Sequence, residues 1–180
     1  MVLFRKQLEV VNVMEIRLAK EKDIPKMREI FDYGREIQLE SGNLNQWADG
    51  YPSDELIQED LAVDAVHVLM VGDEMLGVMS LFTEADPTYK EIEGKWLNDE
   101  PYATIHRIAT SGKVKGSGQK LIKWAQDRFE NIRIDTHEDN EQMKYIVQKL
   151  GFKYCGIIYL ENGDPRNAYH YKKEDISKKI

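Results

Sequence analysis

Apolar positions along the chain switch between a period near two, which marks strands, and a period near 3.6, which marks helices. Glu15-Ile16-Arg17-Leu18 alternates and predicts a first strand. Ile24, Met27, Ile30, Phe31, Gly34 and Ile37 recur at helical spacing, with Asp23 as the expected cap and Pro25 in the first turn. Ser41-Gly42-Asn43 breaks that helix. Asp54 is the expected cap of a short helix carrying Leu56, Ile57 and Leu61. Residues 66–71 and 75–82 are apolar strands around a Gly72-Asp73-Glu74 hairpin. Ile105, Ile108 and Ala109 mark a central strand, and Leu121, Ile122, Ala125 and Phe129 mark the helix after it. Residues 132–136 alternate as a strand. Met143, Ile146, Val147 and Leu150 form the stripe of the next helix. Asp139 or Asn140 caps it, Gln142 completes a capping-box pattern from Asp139, and Gly151 ends it. Strands 152–160 and 167–172 close the pattern. This order predicts a mixed sheet covered by helices, an α/β or α+β single domain spanning 14–176.

Three regions fall outside that pattern. Residues 1–13 are expected to be an N-terminal extension, with Met14 as a candidate start, and 177–180 a short tail. The loop after the first helix carries Trp47 and Tyr51, which serve equally well as a substrate-pocket wall or as local packing. Residues 83–101 are polar and acidic, with Glu84, Asp86, Glu91, Glu93, Asp99 and Glu100, and read as a solvated loop with one short helical turn.

Composition narrows the function class. A chain of 180 residues can bury a sizeable single core. A net charge of −7 disfavours nucleic acid as a partner and is compatible with a cationic acceptor. No apolar run is long enough for a membrane span, and the first residues are too short and too charged for a signal peptide. The single cysteine, Cys155, can form no internal disulfide, which fits a reducing cytoplasm.

The chemistry centres on Lys113-Val114-Lys115-Gly116-Ser117-Gly118, between the central strand and its helix. A glycine turn feeding a helix leaves backbone N–H groups without partners, and with the positive helix end they suit a phosphate. A plain strand–turn–helix connection is an equal reading of these residues alone. They are not a Walker loop, because no Gly-Lys-Ser/Thr follows, and not a dinucleotide fingerprint, because Leu121 stands where the third glycine belongs. His137 with Asp135 and Glu138 matches no standard metal spacing, so no metal is expected.

Two elements together resemble the GNAT superfamily of N-acetyltransferases, over about Met14 to Lys173. One is Lys113 to Gly118 against Arg/Gln-x-x-Gly-x-Gly/Ala, with lysine departing at the first position. The other is Asn140 followed by a helix and Lys149-Leu150-Gly151-Phe152. The resemblance implies a mostly antiparallel sheet of about six to seven strands flanked by about four helices. It implies acetyl-coenzyme A as co-substrate, with Val114, Lys115, Gly116, Ser117, Gly118 and Gln119 around the pyrophosphate and Lys113 leading the loop. Ile108, Ala109 and Thr110 would line the pantetheine arm, and Asn140 would face it.

The implied reaction is acetyl transfer to a primary amine by direct attack in a ternary complex. A catalytically weak acetyl-coenzyme A sensor is the alternative, and an unrelated phosphate-binding protein a third. The acceptor is a small molecule or a protein amino group, and a homodimer is compatible with the family. A base must take the ammonium proton. His106 has a suitable intrinsic pKa, but the sequence does not assign it to a face of its strand; Glu100 and Tyr102 are the other candidates. The family's frequent acid, a tyrosine four residues before the helix-ending glycine, is Val147 here. Tyr145 points elsewhere, and Tyr159, Tyr169 and Tyr171 are the substitutes to test.

Overall fold

The computed structural model describes residues 13–175, so the extension expected before Met14 and the 177–180 tail lie outside the described residues except for Val13. In chain order the elements are β1 (Met14–Leu18), α1 (Ile24–Glu40), α2 (Asp54–Ala62), β2 (Val66–Val71), β3 (Glu74–Phe82), β4 (Glu93–Gly94), β5 (Ala103–Thr110), α3 (Ser117–Arg128), β6 (Asn131–Thr136), α4 (Glu141–Lys149), β7 (Lys153–Tyr159) and β8 (Pro165–Lys172). The strands form one sheet in the order β1-β2-β3-β5-β6-β8-β7-β4. Every pairing is antiparallel except β5 with β6. Among the described residues no helix is long and apolar enough to cross a membrane.

The eighth strand exceeds the six to seven expected, and it comes from the segment read as a solvated loop. Glu93 and Gly94 pair with Ile157 and Gly156. The two backbones approach so closely that a Cβ on Gly94 or Gly156 would collide with the opposite strand's carbonyl. The same segment buries Tyr89 and Trp96 with Cys155, Ile158 and Ala168. Most of its charges face solvent, Asp86 excepted, while Tyr89 and Trp96 pack against β7 and β8.

Helices cover the rest. Leu121, Ile122 and Ala125 of α3 and Val147 of α4 pack on one face with Leu69, Leu76, Ile105 and Ile132. Each fully buried leucine or isoleucine there contributes roughly 1.5–3 kcal/mol. Met27, Ile30 and Phe31 of α1 and Ile57 of α2 pack on the other face with Val66, Val68, Val78 and Ala109. Two caps differ from expectation, and at α4 one of the two expected caps forms. Asp23 precedes α1 but spends its carboxylate on Arg17 and the Lys20 N–H instead of the helix. Ser53, not Asp54, caps α2 by accepting from the Leu56 N–H. Asn140 caps α4 through the Met143 N–H, so the Asp139–Gln142 box does not form.

One irregularity positions the site. Ile105 and Ala109 lie four residues apart on β5, yet Ile105 belongs to the α3–α4 core and Ala109 to the α1–α2 core. A bulge lies between them. Val78 and Ser80 of β3 face Ala109 and His106, so β5 carries one extra residue, and Arg107 takes φ +51 to fit it. The bulge bends β5 away from β6. The two strands pair only at Ala103–Ile132 and Thr104–Arg133, and beyond that they part.

Candidate active site

The opening between β5 and β6 holds two adjoining cavities. The first, about 180 Å³, is a groove walled by Ile37 of α1, Ile108 to Thr110 of β5, Gly118 and Ile122 of α3, and Met143 of α4. From Ile105 onward β5 has no strand on this side, so its backbone edge is open. At the groove's end the chain turns through Gly116, whose φ of +84 is left-handed and whose Cβ position has no atom within 4 Å. Ser117 Oγ donates to the Val114 carbonyl at 2.7 Å and braces the turn. The Lys120 N–H closes the first rung of α3 on the Gly116 carbonyl, so the amides of Ser117, Gly118 and Gln119 precede any helical acceptor. Lys113 does not join them. Its Nζ meets Glu74 at 2.7 Å along the β2–β3 hairpin, and Val114 and Lys115 lie on the exposed outer side.

The second cavity, about 460 Å³, continues the groove, and Gln38, Ile108, Asn140 and Met143 border both. Asn140 Nδ2 donates to Gln46 Oε1 at 2.9 Å, which ties the α1–α2 loop to α4. Gln38 keeps a buried Oε1 with no partner at this junction.

His106 lies in this second cavity, half-buried, between two carboxylates. Its Nε2 is 2.7 Å from Asp86 Oδ2, and its Nδ1 is 3.8 Å from Asp135 Oδ1. The Tyr89 hydroxyl donates to Asp135 at 2.5 Å. Asp86 starts the turn Pro87–Tyr89 and accepts from both the N–H and the hydroxyl of Thr88. Burial alone would raise its pKa, but hydrogen bonds from His106 and Thr88 outweigh burial and hold it at about 2. Asp86 is therefore a fixed anion at neutral pH, and its carboxylate orients the imidazole.

Arg107, the bulge residue, turns toward α2, where Asp60 takes it in two hydrogen bonds of 2.7 and 2.8 Å. Burial works against the guanidinium's charge, and the pairing with Asp60 overcomes it. Trp47 and Tyr51 pack with their rings tilted on this side, and both line the cavity.

The candidate residues read from the sequence divide clearly. Ile108, Ala109, Thr110, Gly118 and Asn140 border the groove, and Gly116, Ser117 and Gln119 flank Gly118 in the chain without lining it; His106, Trp47 and Tyr51 border the cavity. Glu100 and Tyr102 border neither. Glu100 lies at the opposite end of β6, exposed and bonded to Asn131 and Lys172. The Tyr102 hydroxyl accepts from the Asp86 N–H, so it supports the turn that supports His106. Val147 is fully buried in the core and Tyr145 is exposed; Tyr159, Tyr169 and Tyr171 line neither cavity. Asp135, weighed with His137 as a metal set, turns to His106 instead, while His137 Nδ1 accepts from the Asp139 N–H. The sequence reading missed Asp86, Tyr89, Gln38, Gln46 and Arg166. Asp86-Pro87-Thr88 followed by a tyrosine is a turn signature that could have flagged the first two.

A sheet split beside an open strand edge and a glycine-led helix start defines an acyltransferase architecture, and solved structures agree. A GNAT-family acetyltransferase from Streptococcus agalactiae 2603 is 32% identical, with a TM-score of 0.80, covering 90% of this chain and 96% of that one. A GNAT-family acetyltransferase from Listeria monocytogenes 4b F2365 shares the fold at 19% identity and a TM-score of 0.67, covering 89% of this chain and 95% of that one. So does the aminoglycoside acetyltransferase AAC(6')-Ib, solved with coenzyme A and kanamycin, at 20% identity and a TM-score of 0.60 with the same two coverages. No family model and no curated protein matches the chain. The chain belongs to the GNAT family of acetyltransferases.

Proposed function

We propose that this protein transfers the acetyl group of acetyl-coenzyme A to a primary amine by direct attack in a ternary complex. The observation that carries this reading is the junction of the two cavities. A groove made of open backbone runs directly into a cavity where His106 is held between carboxylates. The residues present fit the donor. Nothing crowds Gly116, and a Cβ on Gly118 would meet only Thr110 Cγ2 at 3.6 Å, so a diphosphate can approach the leading amides of α3. The groove's end in this chain thus parallels the helix-start anion site that a coenzyme A phosphate needs, and coenzyme A is present in the aminoglycoside acetyltransferase neighbour. When bound, acetyl-coenzyme A supplies the acetyl group as an activated thioester.

The chain's own residues then do the following. Open N–H groups on β5 offer donors to oxygen charge that develops at the junction. His106 gives its Nε2–H to Asp86, which leaves the Nδ1 lone pair to take the amine's proton. Asp135, fixed by Tyr89, accepts from the incoming ammonium and presents it to Nδ1. Asp86 stabilises the imidazolium that results.

Val147 favours one other reading. With that side chain wholly in the core and no tyrosine on the cavity wall but Tyr51, the site has no evident acid for the leaving thiolate. A sensor that binds acetyl-coenzyme A with little turnover would look the same. Thiol release across a panel of primary amines separates the two. Turnover that depends on the amine supports the enzyme, and coenzyme A binding with no turnover supports the sensor.

A further inference from the structure

We infer that the acceptor carries a carboxylate in the same molecule as its amine, and that Arg166 binds it. The inference rests on the acetyl-transfer reading of the cavity and names the substrate class within it.

Arg166 lies on β8, only 5% exposed, and lines the same cavity as His106. Its Nη1 donates to the neighbouring Pro165 carbonyl at 2.8 Å. Among the described residues no carboxylate lies within 4.0 Å of its guanidinium. Long cations are almost never this buried without a counter-charge, because desolvation goes uncompensated. The other buried arginines show what compensation looks like. Arg107 has Asp60. Arg133 has no carboxylate either, but its guanidinium lies over both Trp96 and Tyr102 and donates to the Asn98 carbonyl, away from the cavity. Arg166 has neither device. Asp164 is near in sequence and borders the cavity mouth, but it is exposed and takes Asn162 Nδ2 at 3.0 Å.

Position completes the case. Ala168 of β8 stands opposite Asp135 of β6. Arg166 is two residues further along, hence on the same face and about 7 Å away along the strand. The cavity is therefore dipolar. Asp86, His106 and Asp135 form an end suited to an ammonium, and Arg166 forms an end suited to an anion. A guanidinium fork matches a carboxylate in two parallel hydrogen bonds. An amino acid, α or ω, brings one charge of each sign to the two ends in a single molecule; a polyamine would bring a second cation against Arg166.

The test uses the full chain with acetyl-coenzyme A and the standard amino acids plus γ-aminobutyrate, each beside its carboxamide and its decarboxylated amine. Thiol release gives kcat/KM, and calorimetry with coenzyme A present gives acceptor Kd. The expected result is a preference of about tenfold to a hundredfold for the carboxylate member of at least one set. In Arg166→Gln that ratio collapses toward one, and Arg166→Lys keeps part of it. Preference for carboxamides, plain amines or spermidine overturns the inference, as does a carboxylate preference undiminished in a folded Arg166→Gln protein. If the variants do not fold, the wild-type ratio decides. Turnover without carboxylate selectivity sinks this inference and spares acetyl transfer. Carboxylate-selective binding without turnover does the reverse. Absence of both binding and turnover across the amino acids also overturns it.

Discussion

The groove beside β5 and the cavity that continues it are built from opposite materials. The groove is backbone, glycine and aliphatic side chain, from Ile108 to Thr110 and on to Gly118 and Ile122. The cavity is charge: Asp86, His106, Arg107, Asp135 and Arg166. A site made of main-chain amides needs only a backbone path and room, so side chains around it can vary. A site made of charges works only if each one is oriented and balanced. That is why Thr88, Tyr89, Tyr102 and Asp60 are all spent on holding the cavity's charged groups. On the proposed reading the donor half is generic, and selectivity for the acceptor would reside in the other half.

Breaking each half separately sharpens that contrast. The largest effect is expected at His106. His106→Gln lowers kcat about a hundredfold to ten-thousandfold while coenzyme A affinity, read by calorimetry, stays unchanged. Asp86→Asn gives a smaller drop in kcat, because the imidazole loses the carboxylate that orients it. An unchanged kcat in the folded variant would remove Asp86 from this role. Next comes Gly118→Glu in the donor half. It lowers coenzyme A affinity by about a hundredfold or more, because a carboxylate then occupies the anion site. The same substitution leaves the melting temperature of the free protein level or slightly higher, since an acidic group suits a helix start. Unchanged affinity in a folded variant would refute the placement.

Acid should destabilise the fold through a histidine outside both halves. His170 lies fully buried at the end of β6 away from the cavity, bonded to Asn131 and the Leu97 N–H. Burial, with Arg133 and Lys172 nearby, lowers its pKa from 6.5 to about 4. The unfolded chain takes up this proton near pH 6.5 and the folded chain only near 4. Stability is therefore whole above the first value and declines as pH falls toward the second, by roughly 3 kcal/mol at most. Denaturant titrations across that window should show the decline, and His170→Gln should flatten it.

The same contrast explains what the sequence disclosed. The donor half was legible because its residues are neighbours along the chain. Gly116 and Gly118 announce the turn, the apolar spacing of Leu121, Ile122 and Ala125 announces the helix, and Asn140 is a local cap. The cavity's charges come from four distant segments, and no local pattern joins them. Asp86 was lost among other acids in a stretch taken as solvated, although Tyr89 and Trp96 there are core residues. His106 could not be assigned a face because the extra residue at Arg107 reverses the alternation partway along β5, and nothing in the apolar spacing marks a bulge. Arg166 sits at the start of a strand, where an arginine would ordinarily reach solvent.

The central claim is that the amides leading α3 and the open edge of β5 hold the acetyl donor. Residue-resolved hydrogen exchange with and without coenzyme A tests it directly. The expected result is slowed exchange at Ser117, Gly118 and Gln119 and along Ile108 to Thr110. Unaltered exchange at all of these amides under saturating coenzyme A would contradict it.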